Sequence, residues 1–150
     1  MKNSMKTVVA CAVCVLAVAT LGSAKNPVPR PHKAQGNVTF TLHLNDGTWE
    51  FQGAGEGTHL GAFTTYTSSA IVGEDGRMRG VSTAANGDQL FWVIPGSSWF
   101  LEFTGGTGRF ENATGGQNTA SESDHVITYD PESNTLVESW SQKAEGIISY

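Results

Sequence analysis

The sequence predicts an all-β domain of short antiparallel strands, and three observations carry that prediction. Apolar and polar residues alternate with a period of two in successive segments from Asn37 onward. Asn-Gly, Asp-Gly and Pro-Gly signals separate those segments at short, fairly even intervals. No window carries the apolar repeat of an amphipathic helix. Strands of this kind stack as a sandwich or close as a barrel.

The first residues read as an export signal. Lys2 and Lys6 flank the start of an uncharged apolar run over residues 7–21, and Gly22-Ser23-Ala24 offers small residues for cleavage after Ala24. The run is too short for a comfortable membrane span. Val8-Val9-Ala10-Cys11 has the form of a lipoprotein box, but residues 7–10 alone are too few to make an apolar signal core. The expected organisation is a signal peptide over 1–24, a Pro-rich linker over 25–36 and a β domain over 37–150. The expected location is periplasmic or extracellular. Both cysteines, Cys11 and Cys14, fall in the signal. The mature chain therefore relies on its core and its hydrogen-bond ladders, without a disulfide.

Prolines at 27, 29 and 31 exclude helix from the linker, and His32 among them reads as part of a solvated tail. Val38, Phe40, Leu42 and Leu44 then alternate with polar residues, the pattern of a half-buried strand. Asn45-Asp46-Gly47 turns the chain into a second extended segment, residues 48–52. Gly53, Gly55 and Gly57 follow at alternate positions, which suits a sharp bend or bulge. Residues 62–72 form the next strand, turned by Glu74-Asp75-Gly76 into residues 77–83. Asn86-Gly87-Asp88 is a further hairpin signal. Residues 89–94 (QLFWVI) are apolar on both faces, and so are residues 99–104 apart from Glu102. In a barrel such strands need cover on their outer side, from the N-terminal segment or from another subunit in a homo-oligomer; a buried central strand of a sandwich gives the same pattern. Extended segments over 118–129, 135–143 and 146–150 complete the count at about eight.

Charge narrows the partners. Nine Lys and Arg stand against 14 Asp and Glu, for a net charge of −5, and loss of Lys2 and Lys6 with the signal makes it more negative. An acidic domain with no basic cluster is a poor fit to nucleic acid or to an anionic membrane surface. No second apolar stretch is long enough to span a bilayer.

Four pieces in order carry a resemblance: Gly55-Glu56-Gly57-Thr58-His59-Leu60-Gly61-Ala62-Phe63-Thr64, Ala84-Ala85-Asn86-Gly87-Asp88, GGTGRFENATG from Gly105 to Gly115, and Glu145-Gly146-Ile147-Ile148. The chain resembles a bacterial secreted family with an allene-oxide-cyclase-like, or dirigent-like, β-barrel. The likeness covers about residues 39–149. It implies an eight-stranded antiparallel barrel with a central cavity. Plant proteins of that fold act on small apolar or phenolic molecules held inside, but no plant-type catalytic set carries over to residues of this chain. Fold alone leaves the function open.

Candidate ligand-pocket residues are His59, Trp92, Trp99, Glu102 and Phe103. His59 between glycines is either a general base near a barrel mouth or a structural histidine fastening a bend. Glu102 among aromatics is either a desolvated acid facing inward or a solvated outward carboxylate. Aromatic residues line a pocket or pack as core. Gly57, Gly61, Asn86, Gly87, Gly105, Gly106 and Arg109 are assigned to turns, with Arg109 clamping neighbouring carbonyls or a carboxylate. No metal-ligand spacing, calcium loop, nucleophile elbow or dinucleotide fingerprint occurs, so no metal or cofactor is expected.

Three functions fit these features. The first is an exported barrel that binds a small apolar or aromatic molecule, or a partner, in or on the barrel. The second is an isomerase or cyclase in which Glu102 or His59 handles a proton. The third is a structural, envelope-associated domain acting through its outer face.

Overall fold

The computed structural model describes residues 27–72, 75–96 and 98–150, and gives residues 61–72 as backbone alone. The expected signal peptide and its cleavage site lie outside the described residues. Within them the chain is all-β. The strands are β1 (Arg30–His43), β2 (Thr48–Gly57), β3 (Gly61–Val72), β4 (Met78–Thr83), β5 (Gln89–Ile94), β6 (Leu101–Gly106), β7 (Thr114–Asp130) and β8 (Thr135–Ser149). One 3₁₀ turn, Gly108–Phe110, lies between β6 and β7. Each strand pairs antiparallel with the next, and β8 pairs back to β1, so the sheet curls into a barrel-like wall.

The period of two decides which side chains enter that wall. Along β1, His32, Ala34 and Val38 are buried while Lys33, Gln35 and Asn37 face out. The core cluster joins Leu90 and Trp92 of β5, Phe103 of β6 and Ile148 of β8 to Leu60, Ala84, Phe110 and Ala113 from the turns. Burying a side chain of this size contributes roughly 1.5–3 kcal/mol each before ordering entropy is set against it.

Two glycine positions are required by close approach. Gly36 of β1 faces Gly55 of β2. A Cβ on Gly36 would lie 2.8 Å from the Gly55 Cα, and one on Gly55 would lie 2.6 Å from the Gly36 Cα. Gly80 of β4 faces Trp92 of β5, and a Cβ there would lie 2.5 Å from the indole Cε2. The indole lies over the Gly80 backbone, where the strand carries no side chain.

The wall differs from the expected organisation at three places. Strand β1 begins at Arg30, so the expected linker supplies the first half of a strand. Proline's fixed φ forbids helix but suits extended backbone, and Pro31 sits opposite Ile147 at the start of the ladder. His32, expected in a solvated tail, is therefore an inward residue of that strand and 2% exposed. Gly53, Gly55 and Gly57 extend β2 beyond its expected end, Gly55 meeting Gly36 of β1, and the expected bulge falls at the register shift between Glu56 and Gly57. Strand β8 runs unbroken, since Ala144 and Gly146 continue its pairing with Ala34 and His32.

A Gly80→Ala substitution tests the Trp92 packing. The added methyl displaces the indole, and the expected cost is about 1–3 kcal/mol. Urea unfolding followed by tryptophan fluorescence measures it, and an unchanged midpoint would show that the ring does not rest on Gly80.

Candidate functional site

The five expected pocket residues do not converge. Trp92 and Phe103 are core: the Trp92 indole N–H donates to Ser82 Oγ at 3.0 Å, and its ring meets Phe51 edge-on with centroids 5.8 Å apart. Phe103 meets the His32 ring edge-on at 5.3 Å. The space they leave, shared with His32, Ser82 and Gln117, is about 30 Å³. That is room for about one water molecule and no larger ligand. Glu102 takes the outward phase of β6, opposite Val93 and Gly116, and is exposed. Trp99 precedes β6 and is 78% exposed.

His59 fastens a corner. Its Nε2 lies 2.7 Å from the Pro31 carbonyl, so Nε2–H donates, and Nδ1 is left to accept the Tyr150 hydroxyl at 3.1 Å. Both ring nitrogens are thus committed. The turn residues behave alike. Arg109 holds Asp88 Oδ2 at 3.2 Å and donates to Asn86 Oδ1 at 3.1 Å, tying the Asn86-Gly87-Asp88 turn to the Gly108–Phe110 turn. Gly87 turns the hairpin at φ 88, Gly106 brings β6 against Gln89 and Phe110, and Gly105, at φ 121, faces the Glu111 carbonyl. Gly57 lies against Leu60 and pairs with Gly61 across a register shift.

Among the described residues, His32 is a buried titratable group of the interior. Burial, first, and the neighbouring His59 ring, second, push the His32 imidazole down from the usual value to about 4, with the nearby Gln117 side chain acting weakly the other way. His32 Nδ1 and Gln117 Oε1 have no hydrogen-bond partner.

A different surface gathers chemistry. Below the core, β2, β1, β8 and β7 run side by side, and their registers align inward-facing side chains in rows. Trp49, Leu42, Leu136 and Tyr129 form one row across the four strands. Phe51, Phe40, Glu138 and Ile127 form the next. Gly53, Val38 and Trp140 form the third, and there β7 carries a bulge between Ser123 and Val126. The Phe40 and Trp49 rings meet edge-on at 4.9 Å. At the bulge, Asp124 takes a φ of 60 and His125 lies on the Trp140 indole, the rings 5.7 Å apart and within 6° of parallel. His125 Nδ1 lies 3.0 Å from Glu138 Oε1, and Nε2 lies 3.5 Å from Glu122 Oε2. Phe51 touches the core, whereas Ile127 at 64% and Tyr129 at 53% exposure are open to solvent.

The outward apolar residues of β5 lie elsewhere. Phe91 and Val93 are half-buried, with Val81, in an open groove of about 720 Å³ edged by Arg77, Arg79 and Glu50. Both faces of that strand are therefore accounted for, one in the core and one in the groove.

The sequence offers Trp49, Phe51 and Trp140 among the aromatic residues that could line a pocket or pack as core, but not the four-strand face that gathers them. The alternation of Phe40 with Leu42 and of Trp49 with Phe51 was visible, but the bulge that brings His125 to Trp140 has no signal in a single sequence. Among the described residues no group of three or more His, Cys, Asp or Glu is placed to hold a metal ion. No helix among them is long and apolar enough to cross a membrane. Compared with known proteins, the chain matches no family model, no curated protein and no solved structure.

The His32 environment predicts acid sensitivity. The unfolded chain takes up a proton near pH 6.5 that the native chain refuses until about pH 4. Stability from this group is complete above pH 6.5, falls as pH drops through that window and changes no further below it, a loss of about 3 kcal/mol in total. His32→Phe removes that part of the acid limb. Urea midpoints at pH 7 and pH 4.5 for both proteins measure the difference, and parallel acid limbs would contradict the assignment.

Proposed function

We propose that the protein is an exported, allene-oxide-cyclase-like β-barrel that binds a small apolar or aromatic molecule on its inner four-strand face. The observation that carries this reading is the contrast between the two ends of the inner surface. The packed end leaves about 30 Å³, while Trp49, Ile127 and Tyr129 stand partly or largely exposed at the other. Clustered aromatic rings beside a few polar groups are the composition of small-molecule sites. The signal-like residues 1–24 support export, and the ordered glycine motifs support the family.

The isomerase reading finds less support. It needs Glu102 or His59 at an open cavity, and Glu102 is turned outward while His59 has both nitrogens engaged. A structural role through the outer face has one observation in its favour, the half-buried Phe91 and Val93 in their groove. Under that reading the chain self-associates there. A monodisperse monomer at tens of micromolar in sedimentation velocity would remove it, and Phe91→Glu would dissociate any oligomer it forms.

A neutral fluorescent probe, N-phenyl-1-naphthylamine, tests the ligand face. It is expected to bind the mature protein with enhanced emission, and Trp49→Ala is expected to weaken it by about tenfold, the worth of one large aromatic contact. Trp99→Ala, which is off the face, leaves the affinity unchanged. Equal effects of the two substitutions, or no binding by the parent protein, would remove the reading.

A further inference from the structure

The inner face carries charge as well as apolar surface. Glu138 stands in the same row as Phe40 and Ile127, and Glu122 follows near Trp140 on the other side of the bulge. Among the described residues, His125 is the group within ion-pair distance of either carboxylate. Two carboxylates and one imidazole leave the cluster net negative whether or not the imidazole is protonated. No lysine or arginine is paired to it among the described residues. The Glu138 side chain is 31% exposed, so it is partly desolvated by the rings beside it yet still open to an incoming group.

The arrangement already shows what it accepts. The His125 ring lies flat on Trp140 with its two nitrogens turned to carboxylates on opposite sides. A planar or tetrahedral cation meets the same two features here: an indole face, whose quadrupole attracts positive charge, and a carboxylate at its edge. The aliphatic and aromatic row of Leu42, Trp49 and Leu136 continues beyond Glu138 and offers a surface for an apolar body. An anion would meet the opposite field, with two carboxylates in a chain that is acidic overall.

Resting on the ligand-face reading above, we propose that this face selects amphiphilic cations, molecules with an ammonium group on an alkyl or aromatic body. The ammonium takes the place of the His125 ring against Glu138 and Trp140, and the body lies along Phe40, Leu42 and Trp49. Charge complementarity favours this occupant over a neutral or anionic lipid. A second copy of the chain would bring the same two carboxylates against themselves.

Displacement of bound N-phenyl-1-naphthylamine by three ten-carbon amphiphiles below their micelle concentrations tests the proposal: decyltrimethylammonium, decanol and decyl sulfate. The ammonium compound is expected to displace the probe at about tenfold lower concentration than decanol, with the sulfate weakest, a difference in the range of one cation–π and carboxylate contact. The ammonium preference shrinks with added salt. In Glu138→Gln the ratio of decanol to ammonium displacement falls to about one; Glu122→Gln lowers it in part. Probe binding without an ammonium preference overturns the cation assignment and leaves the ligand face standing. A preference that survives in the double Gln variant places charge recognition elsewhere and likewise overturns it. Failure of the parent protein to bind the probe removes both.

Discussion

The indole of Trp92 is the constraint on which the rest of the inner surface depends. It lies over the side-chain-free backbone of Gly80, donates to Ser82 and reaches the edge of Phe51. One side chain thus spans from β5 across β4 toward β2, and it does so because a strand in between offers no Cβ in its path. With Phe103 and Leu90 beside it, little space remains. A curled sheet of this kind has two choices for its inner surface, a hollow that holds a ligand or a packed core. Here Trp92 selects packing at one end and thereby leaves the other end, where the strands outrun β4, β5 and β6, as the open part.

The turns that dominate the sequence serve this packing. Arg109 and Asn86 join two corners, His59 joins the start of β1 to Tyr150, and Phe110 is fully buried beneath them. These contacts connect segments far apart in the chain, so each corner restrains a large loop. The polar groups are satisfied locally, which is why glycine-rich, polar turns can cap an apolar core. Motifs that look like candidate chemistry in the sequence are, in the fold, fasteners.

Strand phase was legible in the sequence wherever the period of two ran without interruption. Val38, Phe40 and Leu42 share a face as their spacing requires, and the Asn-Gly and Asp-Gly turns lie between paired strands. The prolines at 27, 29 and 31 misled because they report only what the backbone cannot do: they bar helix, and an extended strand start remains open to them. Glu102 was ambiguous for a related reason. A segment apolar on both sides gives no phase, and only the pairing of Phe103 with Trp92 fixes which side is inner. The candidate face was less legible than the core, since it is assembled from four strands whose registers are non-local facts.

Two register shifts along β7 set the composition of that face: the first, between Thr119 and Ser121, turns Glu122 inward, and the second, the bulge between Ser123 and Val126, turns Ile127 and Tyr129 inward. Before the bulge, Glu122 of β7 pairs with Gln142 on the inner side. A regular ladder from there would turn Val126 and Thr128 inward and send Ile127 and Tyr129 out, because a strand's side chains alternate strictly. Two residues opposite Trp140, with Asp124 at positive φ, shift the phase by one. Ile127 and Tyr129 then join the rows of Glu138 and Leu136, and His125 swings onto Trp140. The same irregularity lies on an edge. Among the described residues, 118–130 pair with β8 alone, since the pairing of β6 with β7 ends at Gln117. A bulge with Glu122 and Asp124 beside it is what keeps such an edge from recruiting another strand. Protection of the edge and presentation of a charged aromatic surface therefore both draw on these local departures from strand geometry. That coupling explains how an edge carrying Val126, Ile127 and Tyr129 can stay unpaired while the face proposed to bind a small molecule remains open.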